Sequence, residues 1–181
     1  QLLNPTRPDE LKLPQGRNTK ISSDGLTLIA DKSGNVQLKD CKVNVINVLR
    51  ISDNVDYSTG NIKYNGEVVI EGDVLSGFRV EADGDITVKG NVEAANIYAH
   101  NGDVRIECGI LGKDRAKILS GGDLSCGFIQ DATVKVKGNV IVNHYSINSN
   151  IHAGGKIELL KNEGTIRGGK VISEQKIDIL Q

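Results

Sequence analysis

Apolar and polar residues alternate in short segments along most of the chain, and each segment follows a glycine. Apolar side chains occupy the second and fourth positions after Gly84, and the same holds after Gly102. An alternation of period two is typical of a β-strand that buries one face. No segment shows helical spacing over ten residues or more. The pattern therefore predicts an all-β protein.

The glycine-led segments recur about every 18 residues, with some variation in length, and such a recurrence is the signature of a solenoid. Most repeats contain a second apolar segment, and a single apolar residue lies between the two. The glycines that open the repeats are unequally spaced: Gly66, Gly84, Gly102, Gly122, Gly138, Gly155 and Gly169. The intervening apolar residues are Val74, Val92, Ile110 and Ile147. Because such unequal lengths do not suit a left-handed hexapeptide helix, we predict a right-handed parallel β-helix of about seven coils, each of ~18 residues.

A coil of three short strands cannot bury its inward side chains alone, so the coils must stack with their strands parallel. Two internal columns are predicted: Val68, Ile86 and Val104 form one, and Ile70, Val88, Ile106 and Cys126 form the other. Glycine is expected at corners that need a positive φ or leave no room for a Cβ, and neighbouring Asp and Asn side chains are expected to bond to the backbone there. The shorter last repeats predict a taper or a lost corner near residues 155–170.

The first sixty residues lack this repeat. All three prolines of the chain lie in residues 1–17, which we interpret as an extended linker. Turn signals rich in glycine, serine and aspartate then separate short apolar segments, and they predict a small antiparallel β-meander over residues 18–54. The β-helix is predicted over residues 55–181, with the meander as a cap on its first coil.

Composition narrows the classes of function. The chain has 22 Lys and Arg against 23 Asp and Glu, and aromatic residues make up 3%, so neither charge nor stacking platforms favour nucleic acid. No apolar run approaches the ~20 residues that span a bilayer. The three cysteines form no C-x-x-C pair, which predicts a reduced, cytoplasmic setting with Cys126 as a small core residue. The chain has no methionine, even at position 1, and we interpret it as an excised fragment.

Residue types that could carry chemistry are present but form no recognisable catalytic set. The histidines His100, His144 and His152 lie in different repeats and match no metal-binding spacing, so we expect exposed side chains, with His144 beside Tyr145 in a surface patch. Acids recur on successive coils at Glu67, Asp85, Asp103 and Asp123. They lack the nine-residue calcium repeat, and the short corners offer no substrate groove, so we interpret them as turn residues. We therefore predict no catalytic residue, no metal site and no cofactor.

One coil carries an insertion, Leu111–Ala116 (LGKDRA), which should bulge outward as a loop. It lacks the strand–GxxxxGK[ST]–helix context of a phosphate-binding loop. An exposed bulge on a regular rod is a natural docking point. The candidate partner-docking residues are Leu111, Gly112, Lys113, Asp114 and Arg115.

Residues 56–66, DYSTGNIKYNG, resemble the V-D-x-S-T-G-N-I-x-F-x-G motif of the flagellar assembly protein A family. Upstream, residues 13–19 are similar to that family's K-L-P-x-G-x-N-T lead, and the resemblance covers about residues 9–180. The chain departs from the family pattern at residues 126–127 and 148–150 without disturbing the predicted fold.

The resemblance implies a bacterial, cytoplasmic protein that acts in flagellar assembly and in flagellar placement at the cell pole. It implies protein partners, including a component of a sugar phosphotransferase system for some members, and it brings no catalytic residues. The core is also similar to that of bactofilins, which polymerise, so the chain is expected to bind itself as well. The leading hypothesis is a non-enzymatic scaffold; a polysaccharide-acting β-helix enzyme and a partner-regulated sensor remain alternatives.

Overall fold

The computed structural model describes residues 13–32, 34–160 and 164–179. The chain divides into two compact units, Gln1–Asn47 and Val48–Gln181. Every helix or strand assigned within the described residues is a β-strand, which confirms the all-β prediction. In the same residues no helix is both long enough and apolar enough to cross a membrane.

The first unit contains two antiparallel strand pairs. Strand β1 (Thr19–Ile21) pairs with β2 (Leu28–Ala30), and β3 (Asn35–Lys39) pairs with β4 (Lys42–Ile46). The two residues between β3 and β4 have φ angles of 53° and 57°, which a two-residue hairpin turn requires. The predicted small antiparallel strands are therefore confirmed. Most of the predicted linker lies outside the described residues, and the role of the meander as a cap stays a prediction.

The second unit is a parallel β-solenoid whose strands stack in three ladders, which we call the first, second and third faces. The first face contains β5 (Val48–Ile51), β7 (Glu67–Ile70), β9 (Ile86–Val88), the starts of β12 (Val104–Ser120) and β13 (Leu124–Val136), β14 (Val140–Val142), β16 (Ile157–Leu159) and β18 (Ile177–Ile179). The second face contains the paired residues Val55 and Val74, β10 (Val92–Glu93), the middle of β12 and β13, and the starts of β15 (Tyr145–Ala153) and β17 (Thr165–Ser173). The third face contains β6 (Ile62–Tyr64), β8 (Arg79–Ala82), β11 (Asn96–Ala99) and the ends of β12, β13, β15 and β17.

The predicted repeat is confirmed as a parallel solenoid of about seven turns, whereas its right-handed sense stays a prediction. Parallel pairing begins with β5, before the predicted start of the β-helix at residue 55. An eighth turn begins with β18, which pairs with β16.

Both predicted internal columns are present. Val68 pairs with Ile86, Ile86 pairs with Val104, and all three side chains are buried. The second column runs through Ile70, Val88, Ile106 and Cys126, which are buried as well. Full burial of one such aliphatic side chain contributes about 1.5–3 kcal/mol, so the stacked columns supply most of the favourable free energy of the fold.

Two details of the predicted repeat are wrong. Gly169 does not open a coil, because it lies inside β17, where Val171 pairs with Ile151 on the third face. The first face continues only at Ile177, which pairs with Ile157 of the preceding turn, so the last turn is not shortened. The described residues of that turn also keep strands on all three faces, and the predicted taper does not occur.

The second error concerns the inward residue of the sixth turn. Ser146, rather than Ile147, pairs with Ile129 on the second face and is only 1% exposed. Ile147 pairs with Gln130 and is half-buried. Ser146 follows the first-face residue Val142 by four residues, the spacing that also separates Ile106 from Ile110. The usual corner length therefore places Ser146 inward, and the prediction of Ile147 followed residue type rather than spacing.

Candidate interaction surface

The predicted docking residues lie inside β12 as a wide bulge rather than as a separate loop. Leu111 pairs with Gln130 and Ala116 pairs with Ala132, so four residues of β12 lie opposite the single residue Asp131 of β13. The side chains of Lys113, Asp114 and Arg115 within this bulge are exposed. Leu111 is half-buried and Gly112 is buried, so the structure brings only the three charged residues of the predicted set to the surface, and the docking role of the set stays a prediction.

The bulge is an enlarged form of a corner that most turns share. Between the second and third faces, the other turns carry a residue with positive φ: Gly77 (89°), Ala94 (38°), Asp131 (49°), Asn148 (48°) and Gly168 (67°). In the bulge both Lys113 and Asp114 take this conformation, with φ angles of 47° and 58°. Lys113 Nζ lies 3.5 Å from the Glu93 carboxylate one turn earlier. The insertion therefore projects charged side chains from a corner whose backbone path is otherwise regular.

The stacked acids lie at the corner between the third and first faces and bond to the backbone of the next turn. The Oδ1 atom of Asp85 accepts the Asp103 N–H at 2.9 Å, and that of Asp103 accepts the Asp123 N–H at 2.8 Å. Asp123 Oδ1 accepts the Asn139 N–H at 2.6 Å in turn. The interpretation of these three residues as turn residues is confirmed. Within the described residues no three His, Cys, Asp or Glu side chains are grouped to hold a metal ion.

The three histidines are exposed, as expected from the sequence. His100 Nε2 lies 3.0 Å from Glu81 Oε1. The hydrogen bond from His100, followed by that from Lys63, lowers the pKa of the Glu81 carboxyl. His144 adjoins Tyr145, whose ring stacks on Phe128 at a centroid distance of 5.2 Å. His100 and His152 both lie on the third face, three turns apart, whereas His144 lies before the second-face strand that begins at Tyr145.

The three cysteines are free thiols, and Cys126 is the buried one. It fills the core column between Ile106 and Val142. Burial raises the pKa of the Cys126 thiol to about 12, so the group is neutral and unreactive at neutral pH. The prediction that Cys126 is a small core residue is confirmed.

A groove on the third face was missed by the sequence analysis. It follows the solenoid axis over several turns and encloses about 500 Å³. Its lining residues are Ala99, His100, Leu119, Ser120, Gly121, Lys135, Val136, Lys137, His152, Gly154 and Glu174, and we call it the third-face groove. Leu119 in this lining and Ile172, which pairs with the lining residue His152, are each 40% exposed. The signal in the sequence was present but scattered, since neighbours across the groove are separated along the chain by a whole coil.

The DYSTGN segment that carries the family resemblance forms a tight turn in the first coil. The Asp56 carboxylate accepts the Ser58 N–H at 2.8 Å and the Ser58 hydroxyl at 2.7 Å, and the hydroxyl bond lowers the pKa of Asp56. The Gly60 N–H donates to the Asp56 carbonyl at 2.7 Å, with Gly60 at a φ of 72°. The Thr59 hydroxyl donates to the carbonyl of Asn54. The segment is therefore specified by local backbone geometry, and the exposed Tyr57 ring meets the Phe78 ring edge-on at a centroid distance of 5.2 Å.

Fold and surface together define the chain as a parallel β-solenoid protein whose recurring acids are structural and whose most accessible features are a charged bulge and an open groove. The family model of the Flagellar Assembly Protein A beta solenoid domain matches residues 47–181. The chain therefore belongs to this family, which confirms the resemblance stated from residues 56–66. No curated protein and no solved structure matches the chain.

Proposed function

We propose that the solenoid is a non-enzymatic scaffold that binds other proteins during the assembly and placement of bacterial flagella. The observation that carries this proposal is the use of the recurring acids: Asp85, Asp103 and Asp123 accept backbone N–H groups at 2.9, 2.8 and 2.6 Å. Carboxylates engaged in this way stabilise turn stacking and are poorly placed to act as general acids or bases. Membership of the flagellar assembly family supports the biological setting.

The bulge of β12 is the proposed first docking point. Lys113 is held only by an exposed pair with Glu93 at 3.5 Å, and such a pair contributes about 0.2–1 kcal/mol. Arg115 is exposed and has no carboxylate partner among the described residues. A partner can therefore form ion pairs with Lys113 and Arg115 while breaking few existing contacts. A rigid solenoid beneath the bulge also limits the ordering that binding requires.

The setting that we propose is the bacterial cytoplasm, with action at the cell pole. Cys41 and Cys108 are exposed free thiols, which a reducing compartment keeps reduced. The proposed partners are flagellar proteins, other copies of the chain and a signalling component of the sugar phosphotransferase system.

Site-specific photo-crosslinking in flagellated cells tests this function. The full-length protein would carry a photoreactive residue at position 113 or 115, and a matched version would carry it at position 105 on the first face. Position-specific crosslinks to flagellar proteins, to the phosphotransferase component or to a second copy are expected from 113 and 115. An absence of such crosslinks, together with measurable depolymerisation of a polysaccharide by the purified protein, would overturn the scaffold proposal.

Charge reversal supplies a second readout. In the double variant Lys113→Glu/Arg115→Glu, smaller amounts of the crosslinked partners are expected to co-purify with the protein, and flagellar number or placement is expected to change. The variant Arg50→Glu/Arg105→Glu changes net charge equally in first-face strands and is expected to leave both unchanged. Equal phenotypes for the two variants would count against the bulge as the docking point.

A further inference from the structure

We propose that the third-face groove binds an acidic protein segment that carries aliphatic side chains and lies extended along the solenoid axis. The inference rests on the proposed scaffold function and adds a binding surface and a partner chemistry to it. It concerns a different surface from the β12 bulge, so the two can be tested separately.

Three lining residues of the groove, Leu119, Lys135 and His152, belong to one outward column of the third face. Successive pairing places Tyr98, Leu119, Lys135, His152 and Ile172 in one outward column. Stacked strands are ~4.8 Å apart, so the five side chains span ~19 Å. An extended chain rises ~3.3 Å per residue, and about six residues cover this distance.

The third face carries positive charge that no neighbouring carboxylate in the described part of the chain neutralises. Lys117, Lys135, Lys137 and Lys170 are exposed, and none has an ion-pair partner among the residues that the structure describes. The acids nearby are already paired: Glu81 contacts Lys63 and His100 at 3.0 Å, and Glu174 lies 3.5 Å from His152. The chain as a whole is nearly neutral, at a formal net charge of −1, so this face concentrates positive charge. Complementary charge steers an acidic partner towards it.

Aliphatic side chains distinguish a protein partner from other polyanions. Leu119 and Ile172 are each 40% exposed and point outward from the sheet between the lysines. A nucleic acid would bind the lysines but would gain little from Leu119 and Ile172, because bases stack on aromatic rings rather than on aliphatic side chains. An acidic segment with leucine or isoleucine at alternate positions satisfies both features, since alternate residues of an extended chain face the same side.

A second copy of the chain is a weaker fit to this surface. A two-fold contact between identical faces would set one positively charged surface against the same surface of the other copy. Surfaces of like charge opposed at an interface are destabilising, and two half-exposed aliphatic side chains supply little apolar area to offset the repulsion.

Fluorescence anisotropy with a labelled octapeptide of alternating Glu and Leu tests the proposal on the full chain. The double variant Lys135→Glu/Lys137→Glu is expected to weaken peptide binding about tenfold or more at moderate salt. The matched variant Arg50→Glu/Arg105→Glu, whose two residues lie in first-face strands, is expected to stay within about twofold of the parent. Leu119→Ser is expected to weaken binding without changing its salt dependence.

Three results would overturn this inference. The first is equal loss of binding in the two double variants, and the second is undiminished binding of a peptide with Ser in place of Leu. The third is equally tight binding of an eight-nucleotide single strand or of polygalacturonate, which would define a general polyanion surface. If peptide binding fails but crosslinks from positions 113 and 115 persist, the groove proposal is wrong and the scaffold function stands. If those crosslinks are lost but the peptide still binds, the scaffold function is wrong and the groove remains a peptide-binding surface.

Discussion

Gly102 lies directly over Gly84 at the corner between the third and first faces, and a Cβ added to Gly102 would overlap the Gly84 carbonyl carbon. The φ angle of Gly102 is not in the left-handed region, so crowding is what requires glycine here. One turn later a Cβ added to Gly122 would overlap the Asp103 carboxylate oxygen, and the Gly122 N–H donates to the Gly102 carbonyl at 2.9 Å. The recurring glycines of the sequence therefore mark places where one backbone rests on another.

Substitution of Gly102 by alanine is expected to destabilise the solenoid by about 2–4 kcal/mol, because the added methyl group meets backbone that cannot rotate away. Gly60→Ala is the control: Gly60 has a φ of 72° and open space around its Cα, so only the conformational cost of about 1–2 kcal/mol applies. Urea unfolding followed by circular dichroism measures both. Equal losses in the two variants would contradict the crowding explanation.

The acid stack makes a different prediction at Asp103, whose Oδ1 accepts the Asp123 N–H at 2.8 Å. Asp103→Ala is expected to cost about 1 kcal/mol, whereas Asp103→Asn keeps the acceptor and should be nearly neutral. Asn139 already fills this role with a neutral amide, accepting the Lys156 N–H at 2.8 Å. Urea denaturation of the two variants against the parent measures the difference.

Calcium addition tests whether the stacked carboxylates bind a metal ion instead of serving only as backbone acceptors. Millimolar calcium is expected to leave the thermal midpoint of the parent protein unchanged, because the carboxylates are engaged by backbone. A calcium-dependent rise in the midpoint that Asp103→Asn abolishes would show that the stack holds metal instead.

Two buried serines are expected to respond in opposite directions when their hydroxyls are removed. The Ser146 hydroxyl is buried without a hydrogen-bond partner, whereas the Ser120 hydroxyl donates to the Gly102 carbonyl at 2.9 Å. Ser146→Ala should therefore stabilise the protein by about 1 kcal/mol and Ser120→Ala should destabilise it by about 1 kcal/mol. Chemical denaturation of the two variants against the parent checks the signs. Destabilisation by Ser146→Ala would indicate that the hydroxyl is satisfied in solution.

The buried thiol of Cys126 predicts a loss of stability at alkaline pH. Its pKa is raised to about 12 in the folded protein, against about 8.5 in an unfolded chain. Between these values the folded state keeps a proton that the unfolded state releases, so the free energy of unfolding falls as pH rises, by up to about 1.4 kcal/mol per unit.

Denaturation over a series of mildly to strongly alkaline buffers tests this slope. Cys126→Ala is expected to lower stability near neutral pH, where it leaves a cavity, and to flatten the alkaline slope. Cys108→Ala alters an exposed thiol and should leave the slope of the parent in place. Identical slopes in all three proteins would show that Cys126 does not remain neutral when folded.

Much of the fold was accessible from the sequence because a stacked coil repeats one local pattern. The columns Val68–Ile86–Val104 and Ile70–Val88–Ile106 were correct, since within each strand the inward residues alternate with outward ones and the glycine before them sets their phase. Across a corner this rule fails. Corners differ in length: Ile129 is the third residue after Cys126, whereas Ser146 is the fourth after Val142. Apolar character then pointed to Ile147, although Ser146 is the inward residue.

Of the two candidate sites, one could be predicted from the sequence and the other could not. The β12 bulge is contiguous in sequence, and its insertion was visible as a break in the repeat. The third-face groove joins Leu119, Lys135 and His152, which belong to three successive coils and become neighbours only through strand pairing. The sequence by itself thus determined that the chain forms stacked β-coils with an aliphatic interior, because period-two burial and recurring glycine are local properties. The tertiary structure alone decided which outward residues meet, because neighbours on a solenoid face are set by the length of every corner between them.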